Sequence, residues 1–404
     1  MEKMNSSVEK TLSYMIYGAL IVLSLGLLTS PTILALSHIL MIFPMIYFLN
    51  KADYKIYPKS AWALLALTIV LICSVIFNQD IAVKAYAPLT KIKYFLFGFL
   101  MIAPLNWFFK NHLSEKKMKW LIGILFFSTT IATLCGLSGT FFGYIPLANK
   151  VVEVSGRYGG LFGMVMNYAH NMAYFLVIPI GLLLNYKQVK KYIDIKFLIL
   201  VLAINLFGFY YSYTRGAWLA LVCAVPFFFF KKNKKYFIAT FILLVILGAG
   251  VFYTAGSNVI RSRSESQRIG QWLAAMKAFE ERPILGFGYL NFEPHSGELK
   301  KKYELGHETF VSHAHNNFLE IGAVSGILGL ICFTSWLFFW LKESFRGEDL
   351  FSKIGFVFIL VFLVGGMTQS TLTLGINLFF IFGVYSLQMA SMKNELKNEK
   401  GYLE

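Results

Sequence analysis

Three of the seven histidines, His307, His313 and His315, lie within nine residues, just before an apolar run that begins near residue 316. A histidine at the edge of a membrane segment can act as a general base, because its pKa lies near neutral pH. A metal site is the alternative, but no cysteine and no convincing set of carboxylates stands nearby in the sequence. A general base and a solvated interfacial side chain both stay open for these histidines, and for His307 and His38 we favour the interfacial interpretation.

Arginine occurs in three polar segments that border apolar runs. Arg157 lies among clustered glycines, which let a backbone approach a ligand closely, and Arg215 lies between two apolar runs with almost no loop. The third segment contains Arg261, Arg263 and Arg268. Because the guanidinium group offers paired donors to phosphate oxygens, these segments predict a site for a phosphate-bearing ligand. Exposed turns and side chains that snorkel at an aromatic belt are the alternatives.

Membrane-spanning helices are the elements that must position these side chains. Of the 404 residues, 57% are hydrophobic and only 14% are charged, whereas a soluble domain carries roughly 25% charged residues. Apolar runs of about 20 residues recur along the chain, which is the length that a helix needs to cross a bilayer. Since a backbone in lipid must satisfy its own hydrogen bonds, the sequence predicts an all-α, polytopic integral membrane protein.

The apolar runs predict twelve transmembrane helices that form a single domain over residues 1–404. One large loop, 255–315, separates the ninth span from the tenth. Within it, Ile269, Trp272 and Met276 recur at helical spacing, so we expect an amphipathic helix that lies on the membrane surface. The predicted spans are 11–28, 31–49, 61–77, 88–108, 119–137, 164–185, 197–213, 216–230, 236–254, 316–341, 354–370 and 373–391.

The distribution of lysine and arginine orients the predicted helices. The side with both termini carries 23 of the 37 basic residues in short loops, while the other side carries 14, eight of them in the loop 255–315. Because short cytoplasmic loops are enriched in basic residues, we expect both termini in the cytoplasm. Arginine departs from this pattern, since six of the seven lie on the outer side, where topology does not require them. These six are Arg157, Arg215, Arg261, Arg263, Arg268 and Arg282.

The composition also argues against two classes of partner. The formal net charge of +16 does not indicate nucleic acid here, because the lysines of cytoplasmic loops account for it. The four cysteines lie in separate predicted spans and form neither a disulfide framework nor a CxxC metal motif. We therefore expect membrane lipids as partners, and neither nucleic acid nor a bound metal.

At these residues the chain resembles the O-antigen ligase and polymerase superfamily of bacterial envelope glycosyltransferases. The ligases of this family show His, then Asn, Ser or Gln, then nine residues, Gly, two residues, and Gly, Thr or Tyr. His315 and Asn316 are followed at these spacings by Gly326 and Gly329. The resemblance covers roughly residues 150–340. Other features similar to the family are the Arg157 segment, Ser212–Trp218, the stretch from Arg268 to Gly288, and the large outer loop.

The resemblance implies an O-antigen ligase, a metal-independent membrane glycosyltransferase of lipopolysaccharide biosynthesis that uses no cofactor. Such ligases transfer a polysaccharide from undecaprenyl diphosphate to a sugar hydroxyl of the lipid A core, in the periplasmic leaflet of the bacterial inner membrane. The resemblance also implies that His315 deprotonates the acceptor hydroxyl. The diphosphate would be bound by Arg157, Arg215 and Arg268. The supporting positions would be Asn316, His313, Gly326 and Gly329.

Three other functions stay open on the sequence. An O-antigen polymerase would use the same donor with a second lipid-linked glycan as acceptor, although polymerases usually carry two comparable outer loops. A protein O-oligosaccharyltransferase is typically longer, with extra periplasmic sequence. A transporter or lipid flippase would carry charges near mid-span and often repeat symmetry. The predicted spans are instead nearly free of charge, apart from Lys91 and Lys93.

Overall fold

The computed structural model describes residues 6–51, 54–154, 156–157, 159–161, 164–255 and 262–392. Helices make up 76% of the structure. One short antiparallel pairing joins Tyr144–Ile145 to Lys150–Val151. The prediction of an all-α fold is confirmed.

Sixteen α-helices follow one another in the part of the chain that the structure describes. The first eight are α1 (Ser6–Gly26), α2 (Pro31–Leu49), α3 (Lys59–Ile76), α4 (Leu89–Leu100), α5 (Ile102–Asn111), α6 (Glu115–Phe142), α7 (Val165–Leu184) and α8 (Tyr186–Val189). The second eight are α9 (Ile195–Tyr211), α10 (Arg215–Ala224), α11 (Lys234–Ala255), α12 (Ser262–Glu281), α13 (Phe292–Lys302), α14 (Asn317–Arg346), α15 (Leu350–Gly366) and α16 (Gly375–Met392). Short 3-10 helices occur at Tyr54–Ile56 and Val225–Phe229.

Among the described residues, eight helical segments are long and apolar enough to cross a bilayer. They are α1, α2, α3, the pair α4 and α5, α6, α7, α14 and α16. Three shorter apolar segments coincide with further predicted spans, namely α9, α10 with the 3-10 turn after it, and α15. Helix α11 coincides with the predicted ninth span, 236–254. The chain is a multi-pass membrane protein, and the count of twelve spans stays a prediction.

Two predicted spans are interrupted in the structure. The fourth, 88–108, is divided between α4 and α5 at Met101. The eighth, 216–230, begins as α10 and changes into the 3-10 helix, because Pro226 has no N–H to donate to the α-helical hydrogen-bond ladder. The loop 255–315 also contains a second helix, α13, whose strongly charged sequence has no apolar period from which to predict it.

The core that supports the site is formed by α7, α14, α15 and α16. Trp336 and Trp340 of α14 are fully buried, and their ring centroids lie 5.2 Å apart in a stacked arrangement. A polar contact also crosses this core, because the amide of Asn171 in α7 donates to the side-chain oxygen of Asn377 in α16 at 2.8 Å. Hydrogen bonds between membrane helices contribute roughly 0.6–2 kcal/mol each, so this contact helps to set the register of α7 against α16.

Helix α14 is broken at Gly326, which adopts φ 62° and ψ −158°. The break leaves the backbone carbonyls of Ala323 and Val324 available to accept hydrogen bonds from groups outside the helix. They accept hydrogen bonds from the backbone N–H groups of Phe287 and Gly288 at 2.8 and 3.0 Å. The segment between α12 and α13 is thereby bound to the N-terminal part of α14.

Replacing Gly326 by Ala is expected to destabilise the protein. This backbone conformation costs an L-residue about 1–3 kcal/mol, and the added Cβ would overlap the Ile284 carbonyl and lie 2.6 Å from the Pro283 oxygen. Thermal unfolding in detergent should therefore show a lower midpoint. The matched control is Gly123→Ala in α6, where nothing lies within 4 Å of the added carbon. Equal midpoints for the two variants would contradict this account of Gly326.

Candidate active site

The start of α14 fixes the backbone on both sides of His315, which has a φ of 51°. Asn316 caps the helix, because its side-chain oxygen accepts from two N–H groups of the first turn at 2.9 and 3.2 Å. Glu320 of the same first turn accepts the N–H of Ala314 at 2.6 Å. The cap and the carboxylate together hold the chain before and after His315, so its ring has a defined direction.

The His315 ring faces the loop 367–374, which joins α15 to α16. Its Nδ1 lies 2.8 Å from Oε1 of Gln369, and its Nε2 lies 3.4 Å from the Ser312 hydroxyl. The same loop binds the next residue, because the N–H of Asn316 donates to the Ser370 hydroxyl at 3.2 Å. Loop 367–374 is therefore one wall of the site.

Burial determines the charge of both histidines beside this loop. The ring centroids of His313 and His315 lie 4.4 Å apart. Desolvation lowers the pKa of His313 to about 3, and the nearby His315 adds to the effect. Desolvation also lowers the pKa of His315, the hydrogen bond with Gln369 opposes that shift, and the positive charge of Arg268 reinforces it. His315 is thus a neutral imidazole at neutral pH, which is the form that a general base requires.

A cavity of about 1090 Å³ lies between α9, α10, α11 and α12. Its polar end is lined by Arg215, Glu265 and Arg268, and by Thr368 from the loop that binds His315. The other walls are mostly apolar, and include Leu206, Leu219, Leu244 and Leu247. A cavity with one cationic end and apolar walls suits an amphiphile that has an anionic head.

The charges at the polar end of the cavity are unbalanced. Arg215 is the first residue of α10 and donates from Nη1 to the carboxylate of Glu265 at 2.8 Å. Desolvation lowers the pKa of Arg268, the neighbouring charge of Arg215 lowers it further, and Glu265 opposes the shift. Two guanidinium groups therefore share one carboxylate, and the excess positive charge favours a bound anion.

Arg157 reaches the same region from the loop before α7. Its Nε and Nη2 donate to the Ser212 carbonyl at 2.8 and 2.6 Å, and Nη2 also donates to the Tyr213 carbonyl at 3.1 Å. The Thr214 hydroxyl lies 3.1 Å from Nη2. These contacts join the glycine-rich loop to the turn directly before Arg215. Arg157 therefore positions that turn, and its contact with a diphosphate stays a prediction.

Comparison with known protein families supports the resemblance noted from the motif. Residues 198–334 match the family model described as O-Antigen ligase. This stretch, about a third of the chain, is similar to the O-antigen ligase domain. The matched stretch runs from α9 into α14 and contains Arg215, Arg268, His315 and Asn316. No curated protein matches the chain.

The two glycines of the ligase motif have packing roles in this structure. Gly326 permits the break in α14 that binds the segment before α13. At Gly329 an added Cβ would overlap the side chain of Ser325, whose hydroxyl donates to the Ile321 carbonyl at 2.7 Å. Both glycines therefore affect the candidate site indirectly, through the shape of α14.

Several contacts of the candidate site come from residues that the sequence analysis missed. Gln369 and Ser370 lie more than fifty residues after His315 and outside the matched stretch. Glu320 was not singled out either, although it is a buried carboxylate beside the motif histidine. The available signal was the run of hydroxyl and amide residues at 368–371, which separates two apolar runs.

Three of the six arginines that were predicted on the outer side are not placed at the cavity by the described structure. Arg261 lies outside the described residues, and the side chain of Arg263 does too. Arg282 is placed away from the cavity lining, where its guanidinium binds the Asp80 carboxylate at 2.6 Å. That ion pair ties the end of α12 to the loop after α3.

The two histidines that were interpreted as interfacial differ in the structure. His307 is exposed, as expected for a solvated side chain. His38 is only 6% exposed, and its ring stacks on Phe379 with centroids 4.3 Å apart. The expectation was wrong for His38, because α2 directs this residue into the helical bundle.

Proposed function

We propose that the protein is an O-antigen ligase that transfers a polysaccharide from undecaprenyl diphosphate to a sugar hydroxyl of the lipid A core. The observation that carries the proposal is the neutral His315 within electrostatic reach of Arg268, which lines an apolar cavity with a cationic end. The match of residues 198–334 to the O-antigen ligase model supports the coarser conclusion, a ligase- or polymerase-type membrane glycosyltransferase.

The chemical step is a displacement at the anomeric carbon of the donor sugar. His315 accepts the proton of the acceptor hydroxyl at Nε2, and the hydroxyl oxygen forms the new bond to that carbon. The bond between the carbon and the diphosphate oxygen breaks, and its electron pair leaves with undecaprenyl diphosphate. Arg215 and Arg268 stabilise the negative charge that develops on this leaving group. The step uses no metal and no cofactor.

The dimensions and lining of the cavity support a polyprenyl donor. Its polar end lies at Arg215, the first residue of α10, while Val225 lines it just beyond the other end of that helix. A diphosphate bound at the first position would leave its hydrocarbon chain among leucines of α9, α10 and α11. Burial of apolar chain contributes about 0.8 kcal/mol per CH₂, so these walls favour a long prenyl tail.

The outer loop 255–315 supports a site at the periplasmic membrane surface. Helix α12 buries Ala274, Ala275 and Ala278 against the protein. It exposes Ile269 and Trp272 on its other side, with Ile269 54% exposed. An apolar face of this kind, turned away from the protein, suits the boundary between lipid headgroups and acyl chains. We therefore place this surface in the periplasmic leaflet of a bacterial inner membrane, with both termini in the cytoplasm.

The identity of the acceptor tests the proposal. Purified protein should be incubated with undecaprenyl-diphosphate-linked polymer and with either lipid A-core or a second lipid-linked glycan. We expect a ladder of extended lipid A-core on a gel and no extension of the second glycan. Extension of the lipid-linked glycan alone would make the protein an O-antigen polymerase. Extension of neither acceptor, with transport of the donor across proteoliposomes, would make it a flippase.

A further inference from the structure

Gln369 bridges the two histidine rings of the site. Its Oε1 lies 2.8 Å from Nδ1 of His315, and its Nε2 lies 3.0 Å from Nε2 of His313. The amide is 3% exposed and His315 is 8% exposed, so water does not compete freely for these contacts. Neither the ligase motif nor the matched stretch includes Gln369.

The hydrogen-bond pattern constrains where the imidazole protons lie. An amide oxygen only accepts, so Nδ1 of His315 must carry its proton to donate to Oε1. The amide nitrogen only donates, so Nε2 of His313 must be unprotonated to accept from it. A neutral His315 with its proton on Nδ1 has its lone pair on Nε2. That atom, which faces Ser312, is then the basic one.

If the Gln369 amide were turned by 180°, so that its oxygen and nitrogen changed places, the proton positions on both imidazole rings would change together. The amide nitrogen would then donate to Nδ1 of His315, which would move the proton of that ring to Nε2 and remove its basic lone pair. His313 would at the same time need a proton on Nε2. The amide therefore couples the two tautomers, and only one of the two arrangements leaves His315 able to act as a base.

We propose that Gln369 is the positioning residue for His315 and selects, through its bridge from His313, the tautomer with a basic Nε2. The proposal rests on the proposed function, because it requires His315 to be the base. It assigns His313 a supporting role as the hydrogen-bond acceptor that orients the amide. Gln369 itself touches no reacting atom in this scheme.

Two substitutions at this position should shift the pH dependence of transfer in opposite directions. The acidic limb reports protonation of the base, since transfer requires neutral His315. In Gln369→Glu a carboxylate still accepts from Nδ1 and stabilises the imidazolium, so the limb should move to higher pH. In Gln369→Leu the hydrogen bond that raises the pKa of His315 is lost, so the limb should move to lower pH.

The other charged and titratable groups near His315 are the same in both variants. They are Arg268 of α12, His170 of α7, Glu320 of α14 and His313 of the same loop. A difference in the direction of the shift therefore originates at position 369. We also expect Gln369→Leu to lower kcat on the order of tenfold to a hundredfold, with little change in the KM for the donor. This loss is a part of the rate enhancement of about 10²- to 10⁴-fold that a general base supplies.

The matched control is Gln388→Leu. Gln388 is also a buried, bridging amide, which contacts Trp340 and Ser344 at 2.8 and 2.6 Å. We expect this variant to yield less folded protein, with the pH profile of the folded fraction unchanged. If both Gln369 variants likewise keep the wild-type profile, the positioning role is wrong. If a variant without His315 is fully active, the proposed function fails instead, so the two failures are distinguishable.

Discussion

Replacing His315 by Asn is expected to reduce polymer transfer by about 10²- to 10⁴-fold, the contribution of a general base. Asn is the informative replacement because His315 has a φ of 51°, and Asn tolerates this left-handed conformation better than most residues. The variant therefore removes the imidazole while it retains the backbone before α14. Transfer should be measured as the appearance of extended lipid A-core, with the amount of folded protein matched to wild type.

The control for this variant is His307→Asn. His307 also has a positive φ, 54°, and its side chain is exposed. The two substitutions make the same chemical change on the same kind of backbone, so they differ mainly in contact with the site. We expect His307→Asn to retain transfer and a normal thermal midpoint. Activity of His315→Asn within a few-fold of wild type would exclude His315 as the base.

The local sequence was sufficient to predict the parts of the site that neighbouring residues determine. His315 and Asn316 begin a helix, and Asn is among the best residues to cap one, so the motif specifies its own backbone. Arg215 begins α10 between two apolar segments, and a charge at such a position requires a partner or a polar cavity. The structure supplies both, in Glu265 and the cavity.

The rest of the site depends on contacts between distant parts of the chain. Gln369 meets His315 only because α15 and α14 pack together, and no sequence period encodes that meeting. Arg157 was predicted as a phosphate ligand from its glycine-rich surroundings. Its contacts with the Ser212 and Tyr213 carbonyls arise from the packing of α7 against α9. Tertiary packing thus decides which arginines line the cavity and which ones support it.

Neutralising the arginines of the cavity should produce the second large effect. Arg268→Gln and Arg215→Gln are each expected to lower kcat by about 10²- to 10³-fold, because each removes a charged donor from the developing charge of the diphosphate. Arg→Lys at either position should retain part of the activity, since lysine keeps the charge and loses the paired donors. The KM for the donor should rise in all four variants.

A double variant, Arg215→Gln with Arg268→Gln, tests whether the two arginines bind the same diphosphate. Because both arginines interact with Glu265 and are proposed to bind the same diphosphate, the double Gln variant should lose less than the product of the single losses. Arg346→Gln, at the exposed end of α14, is the control for loss of an arginine and should transfer polymer normally. Strictly multiplicative losses, or single variants as active as Arg346→Gln, would mean that Arg215 and Arg268 do not hold a common diphosphate. If the two arginines do hold one diphosphate, donor analogues that retain the prenyl chain but carry a single phosphate should bind the wild type and the Gln variants with more similar affinity. That outcome follows only if the second phosphate is the group that the pair of guanidinium groups binds.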